Sequence, residues 1–429
     1  MTTPCGILLS LKLSGHFHLR ISHSGLSLFQ NLKDMRVLIY THGFAPQIGG
    51  LETLVMSLAK GLLAAAECGG FEAPKLTVVT PTPRDQSRDG SLPFRVIRQP
   101  SLYQLVRLIR ASDVVHLAGP CFLPMLLGLL LRKPVVTEHS LYQAVCPNGL
   151  LLDERTKTIC PGHFMAGSYG ECLRCNRANR NWWKSLTMLL LTFPRRWMCQ
   201  KIAKNIVPTL HVGRRLSLPR TVTIYHGAHP PNVQQFGERH LAQPLCFAYV
   251  GRLVSKKGLE LLMEAAGHLH AAGCAFRLKV IGDGPERVCL EKTVDALGLR
   301  PRVTFTGFLQ DERLARALGD VAVVIMPSIW EETAGLSAIE HMMRGRMVIA
   351  TDIGGLGELV GDAGLKFPLG DAKSLASCML RVLKESNLAK ALGKKAEQRA
   401  QAFFREERMV VEHLVVYREL LEESIRPTA

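Results

Sequence analysis

The feature that most constrains this chain is a repeating unit: a short β-branched run, a glycine turn, then a helix with one apolar face. RVLIYTHGF, APQIGG and LETLVMSLAKGLLAAA make the first instance. KLTVVTP, FRVIRQ, DVVHLAG and PVVTEHS read as further strands, and the IVPT and TVTIYHG segments extend the set. Strands that alternate with helices and lack hairpin turns form parallel sheets with helices on both faces. Around residues 227–244 the pattern gives way to GAHPPNVQQFGERHLAQP, which has the composition of a linker. The cycle then restarts with CFAYVGRL, FRLKVIGDG, RVTFTGFL, VAVVIMPS and MVIATDIGG. The expectation is an α/β protein with two Rossmann-like, doubly wound parallel-sheet domains facing across a cleft.

The expected boundaries are an N-terminal extension at 1–34, a first domain at 35–227, a linker at 228–244, a second domain at 245–402, and a closing helix at 403–429 that braces the two. An irregular cysteine-rich insertion occupies about 140–180. The extension carries Lys12, Arg20 and Lys33 without an acid until Asp34. It reads as a targeting segment or as a start site placed too early, with Met35 as the working first residue.

The 429 residues are 47% hydrophobic and 21% charged, which argues against disorder. The longest uncharged apolar run, LAGPCFLPMLLGLLL, contains Pro and Gly and is shorter than the roughly 18–20 residues that a membrane-spanning helix needs. The net charge of +17 is concentrated: between Cys172 and Arg220 stand eleven Lys or Arg and no acid. Trp182, Trp183, Phe193 and Trp197 lie in the same segment. Basic residues with interfacial aromatics suit attachment to an anionic membrane surface, and a solvated basic helix is the plainer alternative. No nucleic-acid motif accompanies the charge.

Chemistry is expected around WEETAGLSAIEHMMRG. An apolar strand ends there, and a helix starts near Gly335. Free backbone N–H groups near Gly335 and Leu336 suit a phosphate. Glu332 and Glu340 stand eight positions apart and can accept from hydroxyls on either side of it. VGRLVSKKG places Arg252 and Lys257 after the first strand of the same domain, two cations for one diphosphate.

Together these residues resemble the second domain of the retaining, two-domain GT-B glycosyltransferases of family 4, also called glycosyl transferases group 1. The matching motifs are GRLxxxKG at Gly251, Arg252, Lys257 and Gly258; GDGP at Gly282, Gly284 and Pro285; FTGFL with Gly307; Glu332, Gly335, Leu336 and Glu340; and GGxxE at Gly354, Gly355 and Glu358. The resemblance implies that Glu340 binds the ribose hydroxyls of a nucleotide and Glu332 contacts the donor sugar. It makes Arg252 and Lys257 the pair that neutralises the departing diphosphate. Gly282 and Gly307 fall among its nucleotide-side turns. In the first domain Gly49 and Gly50 resemble the Gly-Gly loop that approaches the donor phosphate. His139 resembles the histidine that faces the donor sugar. Two positions depart from the pattern: Ala334 replaces a common aromatic, and His226 replaces Asn before the linker.

The implied activity is that of a retaining hexosyltransferase, moving sugar from a nucleotide-diphosphate sugar to a glycan or lipid-linked acceptor in cell-surface polysaccharide or glycolipid synthesis. The expected location is the cytoplasm, peripheral on the inner face of the membrane. A nucleotide-sugar epimerase or phosphorylase on the same fold, or a degenerate membrane-bound scaffold, are the alternatives. No Asp-x-Asp occurs in the chain, so no catalytic metal is expected. Cys146, Cys160, Cys172 and Cys175 form C-x13-C-x11-C-x2-C. That set suits a structural zinc, two disulfides or free thiols.

Overall fold

The computed structural model describes residues 9–13, 17–21, 35–46, 49–69, 73–83, 89–229 and 243–425. Most of the expected extension and linker therefore lies outside the described residues. Within the extension, β1 (Leu9–Leu13) and β2 (Phe17–Ile21) pair antiparallel.

Two parallel sheets form the body. The first has the order β5-β4-β3-β6-β7-β8-β9. Its central strands are β3 (Arg36–Tyr40), β6 (Val114–Leu117) and β7 (Val135–Glu138), flanked by β4 (Lys75–Thr80), β5 (Arg95–Arg98), β8 (Lys204–Val207) and β9 (Thr221–Thr223). The second has the order β12-β11-β10-β13-β14-β15. It is built from β10 (Cys246–Val250), β11 (Arg277–Ile281), β12 (Val303–Gly307), β13 (Val321–Met326) and β14 (Met347–Thr351). The sixth strand, β15 (Leu365–Phe367), is three residues long and escapes the sequence pattern. Every residue of β6, β7, β13 and β14 is buried, as strands covered on both faces must be.

Each sheet has an apolar layer on both faces. Val37, Ile39, Val114 and Val136 pack on one side of the first sheet, and Leu38, Val115, Leu117 and Val135 on the other. The chain's last helix, Glu406–Ile425, comes after the second sheet is complete yet returns to the first domain. Its Met409, Val410, Leu414, Val416, Tyr417 and Leu420 belong to the core that holds Val37 and Val136. The crossing is tight: a Cβ on Gly227 would sit 2.5 Å from Glu406 Cα, and Ala228 N–H donates to Phe404 O at 2.9 Å. The first domain's core is thus completed by the end of the chain.

Leu414 is 2% exposed in that core. Leu414→Ala should cost about 2–4 kcal/mol, read as a lower denaturation midpoint of the first domain with the second domain's transition unmoved.

Candidate active site

The carboxyl ends of both sheets meet at one loop, Trp330–Gly335, between β13 and the helix Leu336–Met343. Successive residues of this loop bind in different directions. Glu331 Oε2 accepts from Arg215 Nε of the first domain at 2.8 Å. Glu332 Oε1 accepts from Lys257 Nζ at 2.7 Å and from the Ser328 hydroxyl, both in its own domain. The Thr333 hydroxyl crosses to Ser140 O at 2.8 Å, while Thr333 O accepts from the Thr209 hydroxyl at 3.1 Å. Glu331, Glu332 and Thr333 are all buried.

A second contact between the domains lies alongside. Both Glu358 oxygens accept backbone N–H groups at the start of the helix Leu210–Leu216, from Leu210 at 2.9 Å and His211 at 2.8 Å. The Tyr225 hydroxyl donates to the same carboxylate at 2.8 Å. A carboxylate at a helix N-terminus satisfies N–H groups that have no intrahelical partner and opposes the helix dipole. Here the cap comes from the other domain.

The glycines explain how the backbones come so close. Gly282 has φ +140°, and a Cβ there would sit 1.9 Å from Gly251 O. Gly258, at φ +68°, would meet Pro327 O at 1.9 Å. The GRLxxxKG loop is therefore pressed against the ends of β11 and β13. Gly282 N–H donates to Gly307 O at 2.9 Å, so those two glycines fasten adjacent strand ends. Across the cleft, a Cβ on Gly50 would sit 3.4 Å from Leu336 Cδ1, which brings the first domain's glycine turn onto the start of the Leu336 helix.

The expected site residues thus fall into sets. Glu332, Lys257, Gly335, Leu336 and Gly50 lie around the two loops, with Gly49 beside Gly50. Lys257 is paired with Glu332 and does not stand free, while the Arg252 side chain is exposed at the same loop. Lys256 is drawn aside, with Nζ 4.5 Å from the centre of the Trp330 ring. Glu340 is half-buried farther along the helix, and burial raises its carboxyl above the usual range against the pull of Arg344. His139 is fully buried with Nε2 2.9 Å from Asn205 Oδ1, and burial pushes it down to about 4. It is therefore neutral at pH 7, donates through Nε2, and leaves Nδ1 without a partner among the described residues.

The four insertion cysteines are buried free thiols. They line one cavity with Asn148, Asp153 and His163. Cys146 Sγ donates to Asn148 Oδ1 at 2.9 Å, and the Glu154 N–H points at Cys175 Sγ at 3.4 Å. Burial, with repulsion between neighbouring sulfurs, raises Cys172 to about 12 and Cys175 to about 11, and burial raises Cys146. The insertion is tied to the cleft, since Arg215 also donates to Cys160 O at 2.9 Å.

With this geometry in view, comparison with known proteins is informative. Residues 234–399 match the family described as Glycosyl transferases group 1. The second domain belongs to that family. This chain is 35% identical over 150 residues to the alpha-D-kanosaminyltransferase of Streptomyces kanamyceticus, covering 34% of this chain and 39% of that enzyme. It is 31% identical over 149 residues to the amylovoran biosynthesis glycosyltransferase AmsK of Erwinia amylovora, covering 33% of this chain and 37% of that protein. The matched stretch spans well under half the length of either relative. The whole chain superimposes on the crystal structure of Anabaena Alr3699/HepE in complex with UDP with a TM-score of 0.65 at 17% identity, covering 88% of this chain and 98% of that one. The fold of the two described domains is therefore GT-B.

Sequence reasoning did not single out Glu331, Thr333, Thr209 or Arg215, all of which join the domains. Their partners are more than a hundred residues away, and no local pattern marks them. Glu358 was legible only as a motif residue.

Glu358→Ala should cost about 1–2 kcal/mol through the lost cap. It should also raise the radius of gyration of the ligand-free protein in small-angle scattering, whereas a purely local cap would leave it unchanged.

Proposed function

We propose that this chain is a retaining glycosyltransferase that moves a sugar from a nucleotide-diphosphate sugar to a glycan or lipid-linked acceptor, without a catalytic metal. The observation that carries the reading is the Lys257–Glu332–Ser328 cluster at the start of the Leu336 helix, facing Gly50 across the cleft. Its support is the group 1 family match of the second domain and the naming of matched relatives as sugar transferases.

The chemistry follows from the charges. Departure of a nucleoside diphosphate develops negative charge on the bridging oxygen. Arg252, Lys257 and the N–H groups that open the Leu336 helix would stabilise that charge. Glu340 holds the ribose hydroxyls, and Glu332 contacts the donor sugar. Glu332 is fastened by Lys257 and Ser328, so it is a sugar-binding group and not a free nucleophile. Retention then proceeds by front-side attack, with the leaving phosphate taking the acceptor's proton. Gly50 leaves room for the phosphates, and neutral His139, held by Asn205, shapes the sugar side. The four thiols are assigned a structural zinc, which would draw in sulfurs that already share one buried cavity and displace their protons.

A thermal-shift screen with nucleotide sugars, UDP-sugars first because HepE is seen with UDP, should show stabilisation of the wild type and none of Glu340→Ala. Lys257→Ala should lower kcat by about a hundredfold with a smaller change in KM. No stabilisation of the wild type by any nucleoside diphosphate or its sugar would sink the donor site.

The acceptor side of the proposal is contact with an anionic membrane through residues 172–220, at the cytoplasmic face. Among the described residues, no helix is long and apolar enough to cross a membrane. The helix Trp182–Lys201 instead carries an outward stripe at seven-residue spacing: Trp183, Leu190 and Trp197 are 74%, 57% and 55% exposed. Phe193 and Trp182 flank it, also exposed. Much of the basic excess is engaged elsewhere, since Arg195, Arg196 and Arg220 donate to backbone carbonyls and Arg215 to Glu331. The apolar stripe therefore contributes more to the attachment than net charge does, with Lys184, Lys201 and Arg214 supplying the electrostatic part. Trp183→Ser with Trp197→Ser should weaken co-sedimentation with anionic vesicles by on the order of tenfold and leave donor binding intact. Equal sedimentation of variant and wild type would remove the membrane assignment.

A further inference from the structure

The apolar contact between the closing helix and the first sheet contains one polar island. His116 on β6, Glu138 at the end of β7, His226 after β9 and His413 on the helix Glu406–Ile425 are all 4% exposed or less. In the parallel register His116 lies beside Val136, so Glu138, two residues on, shares its face. That is the face on which Val136 packs with the closing helix. His413 and Tyr417, one turn apart, descend on it from the helix.

The hydrogen bonds fix the rings. His413 Nδ1 is 2.8 Å from Met409 O. A carbonyl only accepts, so Nδ1 carries the proton, and Nε2 of the neutral ring is a lone pair. His116 Nδ1 is bonded to the Tyr417 hydroxyl at 2.9 Å. Both Nε2 atoms lack a hydrogen-bond partner among the described residues, yet both face Glu138 Oε2, at 3.3 Å from His116 and 3.8 Å from His413. The other oxygen, Oε1, is held by His226 Nε2 at 3.0 Å.

For His413, a neutral lone pair pointed at a buried carboxylate is repulsive unless a proton or a metal cation lies between them, whereas His116, whose Nδ1 faces a hydroxyl, can present either an N–H or a lone pair. Metal-binding histidines characteristically donate their far N–H to a carbonyl, as His413 does, and ligating carboxylates are themselves hydrogen-bonded, as Glu138 is by His226. Tetrahedral zinc with bonds of about 2.0–2.1 Å separates its ligand atoms by about 3.3 Å; His116 and Glu138 already stand 3.3 Å apart, and His413, at 3.8 Å, would close in on the ion. His116, Glu138 and His413 are the one group among the described residues whose ligand atoms all lie within 4.8 Å of one another. The insertion thiols share a cavity without converging that far.

We propose that His116 Nε2, His413 Nε2 and Glu138 Oε2 bind a divalent transition-metal ion of the zinc class, which pins the closing helix to the first domain. Imidazole and carboxylate donors suit such an ion and not calcium or magnesium. The role is structural. The ligands come from β6, β7 and the chain's last helix, so the ion joins segments about three hundred residues apart in sequence.

The test is cobalt titration of full-length protein stripped with a chelator. In Cys172→Ser with Cys175→Ser, which disables the thiol cluster, about one equivalent should bind with visible ligand-field bands and no thiolate charge-transfer band. Zinc at a hundredfold its dissociation constant should raise Tm by about 5–10 °C. His413→Gln and His116→Gln should each abolish this uptake. If the cysteine variant does not fold, the wild type gives the same answer, since the two sites differ in the charge-transfer band. Cobalt bound only with thiolate bands, no uptake at all, or full uptake by both histidine variants would each overturn the site. An imidazolium–carboxylate pair would then be what holds the helix.

Discussion

The rest of the molecule depends on the three consecutive side chains Glu331, Glu332 and Thr333. A tight turn, closed by Glu332 N–H to Trp330 O at 2.8 Å, separates their directions: Glu331 and Thr333 reach the first domain while Glu332 turns back to Lys257. The loop that grips the neighbouring domain is thus the same loop that positions the inner acid. Gly355 N–H donates to Glu332 O at 2.7 Å from below, so the loop is fixed on its third side as well. Neither domain can shift appreciably without moving Glu332.

How much of this was legible follows from the range of each interaction. The strands and glycine turns were readable because periodicity and backbone freedom are local. GRLxxxKG and GDGP could be placed correctly as loops at strand ends. That they press against each other, with Gly282 under Gly251, could not be read, because the clash that demands glycine comes from a carbonyl thirty-one positions away. Lys257 reads as a diphosphate ligand from its place in GRLxxxKG and its charge; its pairing with Glu332 depends on how β10 and β13 lie side by side. Likewise the run of basic residues between Cys172 and Arg220 read as one electrostatic surface, but several of its arginines close the C-terminal ends of helices and loops through backbone carbonyls. Sequence shows how many charges a segment has. Which of them are already satisfied is a property of the fold.

The buried histidines illustrate the same limit. His116, His226 and His413 are separated by 110 and 187 positions in the chain, and each alone looks like a single polar residue in an apolar element. Only the return of the last helix brings them around Glu138. Burying a carboxylate costs several kcal/mol unless charge or hydrogen bonds compensate. His226 supplies part of that compensation through its hydrogen bond to Oε1, and the closing helix shuts the carboxylate under His413 while completing the first domain's apolar core.

The choice of lysine at 257 has a physical reason in this arrangement. An arginine would bind Glu332 through a planar fork and become committed to it, whereas an ammonium has three donors on a flexible stem. In the proposed donor site, Lys257 would keep one hydrogen bond to Glu332 and offer others to a phosphate at the Leu336 N-terminus. A lysine fully exposed at the loop would lack the fixed position, and one without Glu332 would be free to swing to solvent. The acid therefore positions the cation, the cation restrains the acid, and two opposite charges in a basic chain act as one preorganised unit.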